Sequence, residues 1–268
     1  MTFLSWLVRR WPLASDPQAA RSEWLGEWRT DIAQFLDDAS IDAAVDHGRP
    51  LELPPREGVI YFCFVDMSGG RHDASVICIC HRDEGGARTV VDVIRGKRGP
   101  HDPQAAALEF AALAGEYRCH TIVGDAYAGE WTAAAYRGAG REWRKSRHVR
   151  SDLYLEGAPL FSRGLISIPP EPAILLRELR LLERRTARSG RDSVDHGTGG
   201  SDDFANALFG AMHLAADKAS DEVNTAIWGA PGWGILSGGP RQYFGDAGVG
   251  TAASVGLAAA AARGIPPG

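Results

Sequence analysis

The chain has 268 residues, 44% of them apolar and 24% charged, a balance that suits a soluble domain with extensions and excludes a collagen-like or wholly disordered protein. A formal net charge of −5 excludes coating of nucleic acid through bulk charge, so any such contact must come from a local basic surface. The four cysteines, Cys63, Cys78, Cys80 and Cys119, lie in apolar runs without CxxC pairing, which points to a reducing cytoplasm rather than a disulfide scaffold. The opening MTFLSWLVRRWPL is interrupted by Arg9 and Arg10, and no stretch of about 18 apolar residues follows, so neither a signal peptide nor a membrane span is expected.

In chain order, the first fifty residues read as helical: Trp24, Leu25, Trp28, Ile32, Phe35 and Leu36 recur at spacings of three and four, with Asp16 and Pro17 as cap and first turn. The proline-containing stretch 51–57 breaks that pattern. Residues 58–67 (GVIYFCFVDM) form a nearly continuous apolar run ending at Asp66, the mark of a strand buried on both faces. Residues 74–81 alternate as a second strand, an acidic Gly-Gly turn follows, and 89–94 supply a third. An Ala-rich helix is predicted over 103–117, a short strand over 121–123 running into Asp125, and a helix over 129–136. A helix over 151–161, a short strand over 165–168 and a helix over 172–185 come next, the last carrying Leu175, Leu179 and Leu182 on one face. A closing helix opens at Ser201 or Asp202 and runs to Ala216. This predicts an α/β fold, a three-strand antiparallel meander followed by alternating helices and strands, with helices on both faces of a mixed sheet. Three regions follow: a helical segment over 1–57, a core over 58–217 and a flexible Gly/Ala-rich tail over 218–268.

The placement of the acids carries the chemistry. Asp66 ends the first buried strand, Asp125 ends the later one, and Asp202 and Asp203 open the last helix. Carboxylates at strand ends and helix starts meet where such a sheet presents its functional edge, and three together repel unless a cation lies between them. Their hard oxygens suit Mg²⁺ or Mn²⁺, which favours metal-dependent phosphodiester hydrolysis. Taken singly, each also reads as a turn former or helix cap. Asp73, across the Gly69–Gly70 pair, is an auxiliary ligand or a turn residue, and His196 in VDHGTGGSDD is an auxiliary group near a phosphate or simply solvated. The run at 197–200 could approach a phosphate through its amides, but no GxxxxGK[ST] sequence occurs in the chain.

Basic charge is concentrated over 137–191, where 13 Arg or Lys stand against 6 Asp or Glu, a local net of +7. That is the footprint of a nucleic-acid backbone. Arg144, Lys145 and Arg147 form one group, and Arg177, Arg180, Arg184 and Arg188 recur along one face of the predicted helix, where they track phosphates or form an ordinary solvated face.

The layout is similar to that of the ribonuclease H-like nucleases. The wording DPQAARSEWLGEWRTDIAQFL, YFCFVDMSGGRHDAS, VGDAYAG, the LY of SDLYLEGAPLF, and LRELRLLERRTARSGRDSVDHGTGGSDDFANAL resembles the C-terminal nuclease portion of bacteriophage large terminase subunits, including those of phage-like gene transfer agents, over residues 15–216. The resemblance implies cleavage of double-stranded DNA in the host cytoplasm during packaging, with two Mg²⁺ or Mn²⁺ ions. It implies Asp66 as first ligand, Asp125 as second, the Asp202–Asp203 pair as third, and Asp73 as an occasional assistant. Asn206 stands where related chains carry another Asp, so either Asp202 or Asp203 serves. Implied partners are a small terminase subunit, a portal and an ATPase motor; the motor domain that precedes this region in the family is not in the chain, which implies a motor supplied separately or a truncated form. The rival readings are a junction-resolvase-type nuclease and a packaging or assembly module that has lost cleavage.

Overall fold

A computed structural model describes residues 32–125, 130–186 and 191–217. The helix expected from residue 16, as far as residue 31, and the tail over 218–268 lie outside the described residues. The elements are β1 (Ile32–Gln34), α1 (Asp38–Ala44), β2 (Tyr61–Asp66), β3 (Ser75–Arg82), β4 (Thr89–Lys97), α2 (Pro103–Glu116), β5 (Thr121–Gly124), α3 (Glu130–Gly138), β6 (Glu142–Lys145), α4 (Arg150–Ser162), β7 (Ile166–Ser167), α5 (Ala173–Leu181), β8 (Leu182–Thr186), β9 (Asp192–His196) and α6 (Asp203–Ala216).

A six-stranded mixed sheet in the order β6-β5-β2-β3-β4-β7 forms the centre. β2, β3 and β4 make the expected antiparallel meander; β5 joins β2 in parallel, β6 joins β5 in parallel, and β7 joins β4 in parallel. The apolar run of β2 is explained by burial on both faces, because successive side chains point to opposite sides of the pleat. Phe62 and Phe64 enter a core shared with α1, α4, α5 and α6. Tyr61, Cys63 and Val65 enter a second core shared with α2 and α3. Helix α6 lies across β2 and β3, at a height set by Gly210: a Cβ there would overlap the Phe64 ring. Close approach of helix to strand two residues before Asp66 therefore requires glycine at that position.

Three sequence expectations are corrected. The helical pattern does not continue through Ile32; residues 32–34 form β1, antiparallel to β8, and a new helix starts after Asp37, whose side chain accepts from the Ser40 amide at 2.8 Å. Residues 32–44 share the main core through Leu36, Ile41 and Ala44. The helix expected over 172–185 ends at Leu181, and 182–186 is the central strand of a separate three-stranded antiparallel sheet, β1-β8-β9. Pairing on both sides of β8, with Thr186 Oγ1 donating to Asp192 Oδ1 at 2.5 Å, overrides a leucine spacing that fits a helix equally well. The arginine face is thereby divided: Arg177 and Arg180 are on α5, Arg184 is on β8, and Arg188 lies outside the described residues. Strands β6 and β9 were not expected.

Candidate functional site

The parallel pairing of β2 and β5, with Val65 opposite Gly124, brings the two strand ends together, so Asp66 and Asp125 emerge side by side at the carboxyl edge of the sheet. The start of α6 lies against them. One turn into that helix, the Asn206 amide donates to Asp66 Oδ2 at 2.8 Å and to Asp125 Oδ2 at 3.4 Å. Burial pushes the Asp66 carboxyl up to about 7; the negative charges of Asp203, Asp125 and Asp202 add to that, in decreasing order, while the Asn206 hydrogen bond opposes it.

The two acids that sequence could not separate have different surroundings. Asp202, 3% exposed, accepts from Arg150 Nη1 and from the Tyr154 hydroxyl, both at 2.8 Å. Arg150 extends its other arm to Asp195 at 2.9 Å. Burial raises the Asp202 carboxyl, opposed by the Arg150 charge and the Tyr154 bond. Asp203 accepts from the Ala74 amide at 2.9 Å; burial raises it as well, with the charges of Asp73 and Asp202 adding and the Ala74 bond opposing. Both oxygens of Asp202 are thus engaged by helix α4, whereas Asp203 is the largest of the individual charges acting on Asp66.

Asp66 and Asp125 share the Asn206 amide, Asp203 is close enough for its charge to act on Asp66, and all three offer hard oxygen donors. Among the described residues, the Asn206 carbonyl oxygen is buried with no hydrogen-bond partner. A divalent cation of the magnesium class fits such donors, since it would neutralise the repulsion that adds to burial in raising Asp66.

Asp73 lies exposed on the β2–β3 loop, near enough for its charge to act on Asp203. His196 ends β9, and its Nδ1 bonds the Gly197 carbonyl at 2.8 Å while its charge acts on Asp202. The glycine run folds into a turn, with the Gly200 amide donating to Gly197 at 3.0 Å. Arg144 and Lys145 are exposed on edge strand β6, Lys145 in register with Gly124, and Arg147 is exposed in the loop that follows. Arg177 is exposed on α5. Arg180 pairs instead with Asp42 at 2.5 Å and Asp38 at 3.6 Å, and Arg184 pairs with Asp192 in a mostly buried setting.

Sequence reasoning missed the supports. Arg150 and Tyr154 sit four apart on α4, both aimed at Asp202. Glu178, 3% exposed, accepts from the Phe204 amide at 2.8 Å, the Ala205 amide at 3.0 Å and Ser201 Oγ at 2.7 Å. It therefore caps α6 from another helix, a role Asp202 at the N-cap position does not take. An acid placed between Leu175, Leu179 and Leu182 on the apolar stripe was the available signal.

No protein-family model matches the chain, and no curated protein sequence matches it. Solved structures do. The large terminase nuclease of thermophilic phage G20c superposes with a TM-score of 0.54 at 22% identity, over 65% of this chain and 96% of that one. The large terminase nuclease domain of Thermus phage P74-26 superposes with a TM-score of 0.53 at 22% identity, over 68% and 96% respectively. A large terminase from another thermophilic bacteriophage gives a TM-score of 0.58 at 13% identity over 78% of this chain, which spans about half, 52%, of that protein. The G20c nuclease has also been solved with bound magnesium and with bound cobalt. The chain has the ribonuclease H-like fold of large terminase nuclease domains.

Proposed function

From a fold shared with large terminase nuclease domains and the acids it gathers, we infer that this chain is a divalent-metal-dependent endonuclease of the terminase type, cutting double-stranded DNA during viral genome packaging. The observation that carries this reading is the meeting of Asp66 and Asp125, at the ends of β2 and β5, on the Asn206 amide, with Asp203 at the start of α6 close enough for its charge to act on Asp66. These three carboxylates would hold two Mg²⁺ or Mn²⁺ ions, with Asp73 as an outer acid and Asp202 as a positioning residue. When bound, the ions supply Lewis acidity at the scissile phosphate and a means of ionising the attacking water.

The remaining roles belong to the chain itself. Arg150 and Tyr154 hold Asp202 and so fix the first turn of α6, on which Asp203 and Asn206 ride. Lys145, at the end of β6, which runs parallel to β5, lies on the same sheet edge as Asp125 and would grip the DNA backbone together with Arg144, Arg147 and Arg177. His196, at the end of β9 and near enough to act on Asp202, would be an auxiliary group. A small terminase subunit, a portal and a motor ATPase would complete the assembly in the host cytoplasm. Among the described residues, no helix is long and apolar enough to cross a membrane.

Supercoiled plasmid incubated with the purified chain and Mn²⁺, Mg²⁺ or EDTA tests this. Cleavage that needs the metal and disappears in Asp66→Asn is the expected result. No cleavage by a folded chain with either metal overturns the reading, and a strong preference for branched substrates would move it to a resolvase.

A further inference from the structure

A second ligand cluster lies away from the acidic edge. Among the described residues, His148, Glu156 and His213 place one ligand atom each within 4.8 Å of one another. Glu156 Oε2 is 2.8 Å from His213 Nδ1, and Glu156 Oε1 is 3.7 Å from His148 Nδ1. A tetrahedral zinc ion with bonds near 2.1 Å separates its ligand atoms by about 3.4 Å, inside the 4.8 Å span that holds one ligand atom of each of the three residues. The imidazole rings lie 4.3 Å apart, tilted by 55°, so they are neighbours without being stacked flat.

Three elements supply the cluster. Glu156 is on α4, His213 is in the last turn of α6, and His148 precedes α4. The His148 backbone is held before any ligand arrives: Ser146 Oγ donates to the His148 carbonyl at 2.8 Å, and the Ser146 amide donates to Gly124 of β5, also at 2.8 Å. The side chains remain accessible, at 38% exposure for His148, 50% for Glu156 and 18% for His213. Ten residues of helix separate His213 from Asp203, about 15 Å along the axis, so no ligand is shared with the acidic edge.

We propose that His148, Glu156 and His213 form a binding site for one divalent transition-metal ion of the zinc class. Two imidazoles and one carboxylate select Zn²⁺, Co²⁺ or Ni²⁺ over Mg²⁺, which prefers oxygen ligands throughout. Three protein ligands leave a fourth position for water. The ion ties the end of α6 to the entry of α4, two residues before the Arg150 that holds Asp202. It thereby braces the helix carrying Asp203 and Asn206 from its far end, and its binding does not depend on whether the acidic edge cuts DNA.

The test is equilibrium dialysis of the full, metal-stripped chain against Zn²⁺ in the presence of excess Mg²⁺, with visible absorption of the Co²⁺-loaded chain as a second readout. One zinc ion per chain is expected, with affinity weakened at least about tenfold in His213→Gln, in Glu156→Gln and in His148→Gln, and unchanged in Asp66→Asn. His148→Gln lies in a half-exposed loop, so its effect is separable from any loss of folding, which circular dichroism monitors. Cobalt bands should weaken with the same three substitutions. No zinc uptake, unaltered uptake in folded variants, or loss confined to Asp66→Asn would each overturn the proposal, the last by assigning the ion to the acidic edge.

Discussion

Replacing Glu178 by alanine isolates the device that starts the site helix. The carboxylate accepts two amides of the first turn of α6 and the Ser201 hydroxyl, and it is buried. Removing a helix cap costs about 1 kcal/mol, and each buried amide left without an acceptor costs about 1–3 kcal/mol. Against this stands relief of the burial that raises the Glu178 carboxyl, so the net loss for Glu178→Ala should be about 2–4 kcal/mol. Glu178→Gln keeps an oxygen for the two amides and turns its NH₂ toward Ser201 Oγ, and should lose only about 1 kcal/mol. Urea denaturation followed by circular dichroism measures both. In a nuclease assay, cleavage should fall further in the alanine variant than in glutamine, because Asp203 and Asn206 depend on the same turn. An alanine variant within about 0.5 kcal/mol of the parent would falsify the capping argument.

Asp203→Asn should reduce cleavage at least about a hundredfold, and more than Asp202→Asn, whose oxygen can still accept from Arg150; equal losses would mean that the division of labour between these acids is wrong. The folded Asp66 carboxyl, pushed up to about 7, lies above its unfolded value, so the native chain keeps a proton that the unfolded chain releases. Stability of the metal-free protein should therefore fall as pH rises from about 4 to about 7, by up to about 4 kcal/mol from this group. Denaturation at several pH values should show that slope flattened in Asp66→Asn, and identical slopes would refute it. Arg184→Glu should cost about 2–3 kcal/mol by breaking its mostly buried pair with Asp192, whereas Arg147→Glu should leave the melting temperature unchanged and lower the salt slope of DNA binding by about 1. Calorimetry and titration at several salt concentrations separate the two.

Five of the six strands of the central sheet were legible because they carry clear signals, whereas the four-residue edge strand β6 was not. The run at β2 has no polar interruption, and the Gly-Gly turn between β3 and β4 marks a hairpin. Asp66 and Asp125 were legible for the same reason, since each follows an apolar strand. Strand β8 was not, because Leu179 and Leu182 satisfy a helical stripe and only the distant partners β1 and β9 decide against it. The different surroundings of Asp202 and Asp203 likewise arise in space, from Arg150 and Tyr154, which lie about fifty residues earlier in the chain. His148 and His213 escaped notice because each reads alone as an isolated histidine; only the packing of α4 against α6 makes them neighbours.

The alternation of β2 and β3 across the pleat has a practical consequence. Cys78 and Cys80 face the layer containing the site helix α6, whereas Cys63 and Cys119 face the layer formed by α2 and α3. All four are free and buried, and burial holds the Cys63, Cys78 and Cys80 thiols above their ordinary range. The protein thus carries its own pair of chemical clocks. An alkylating reagent reaches each pair only when its layer opens, so the order in which the thiols are modified, read by mass spectrometry, times the release of one side of the sheet against the other without any added label.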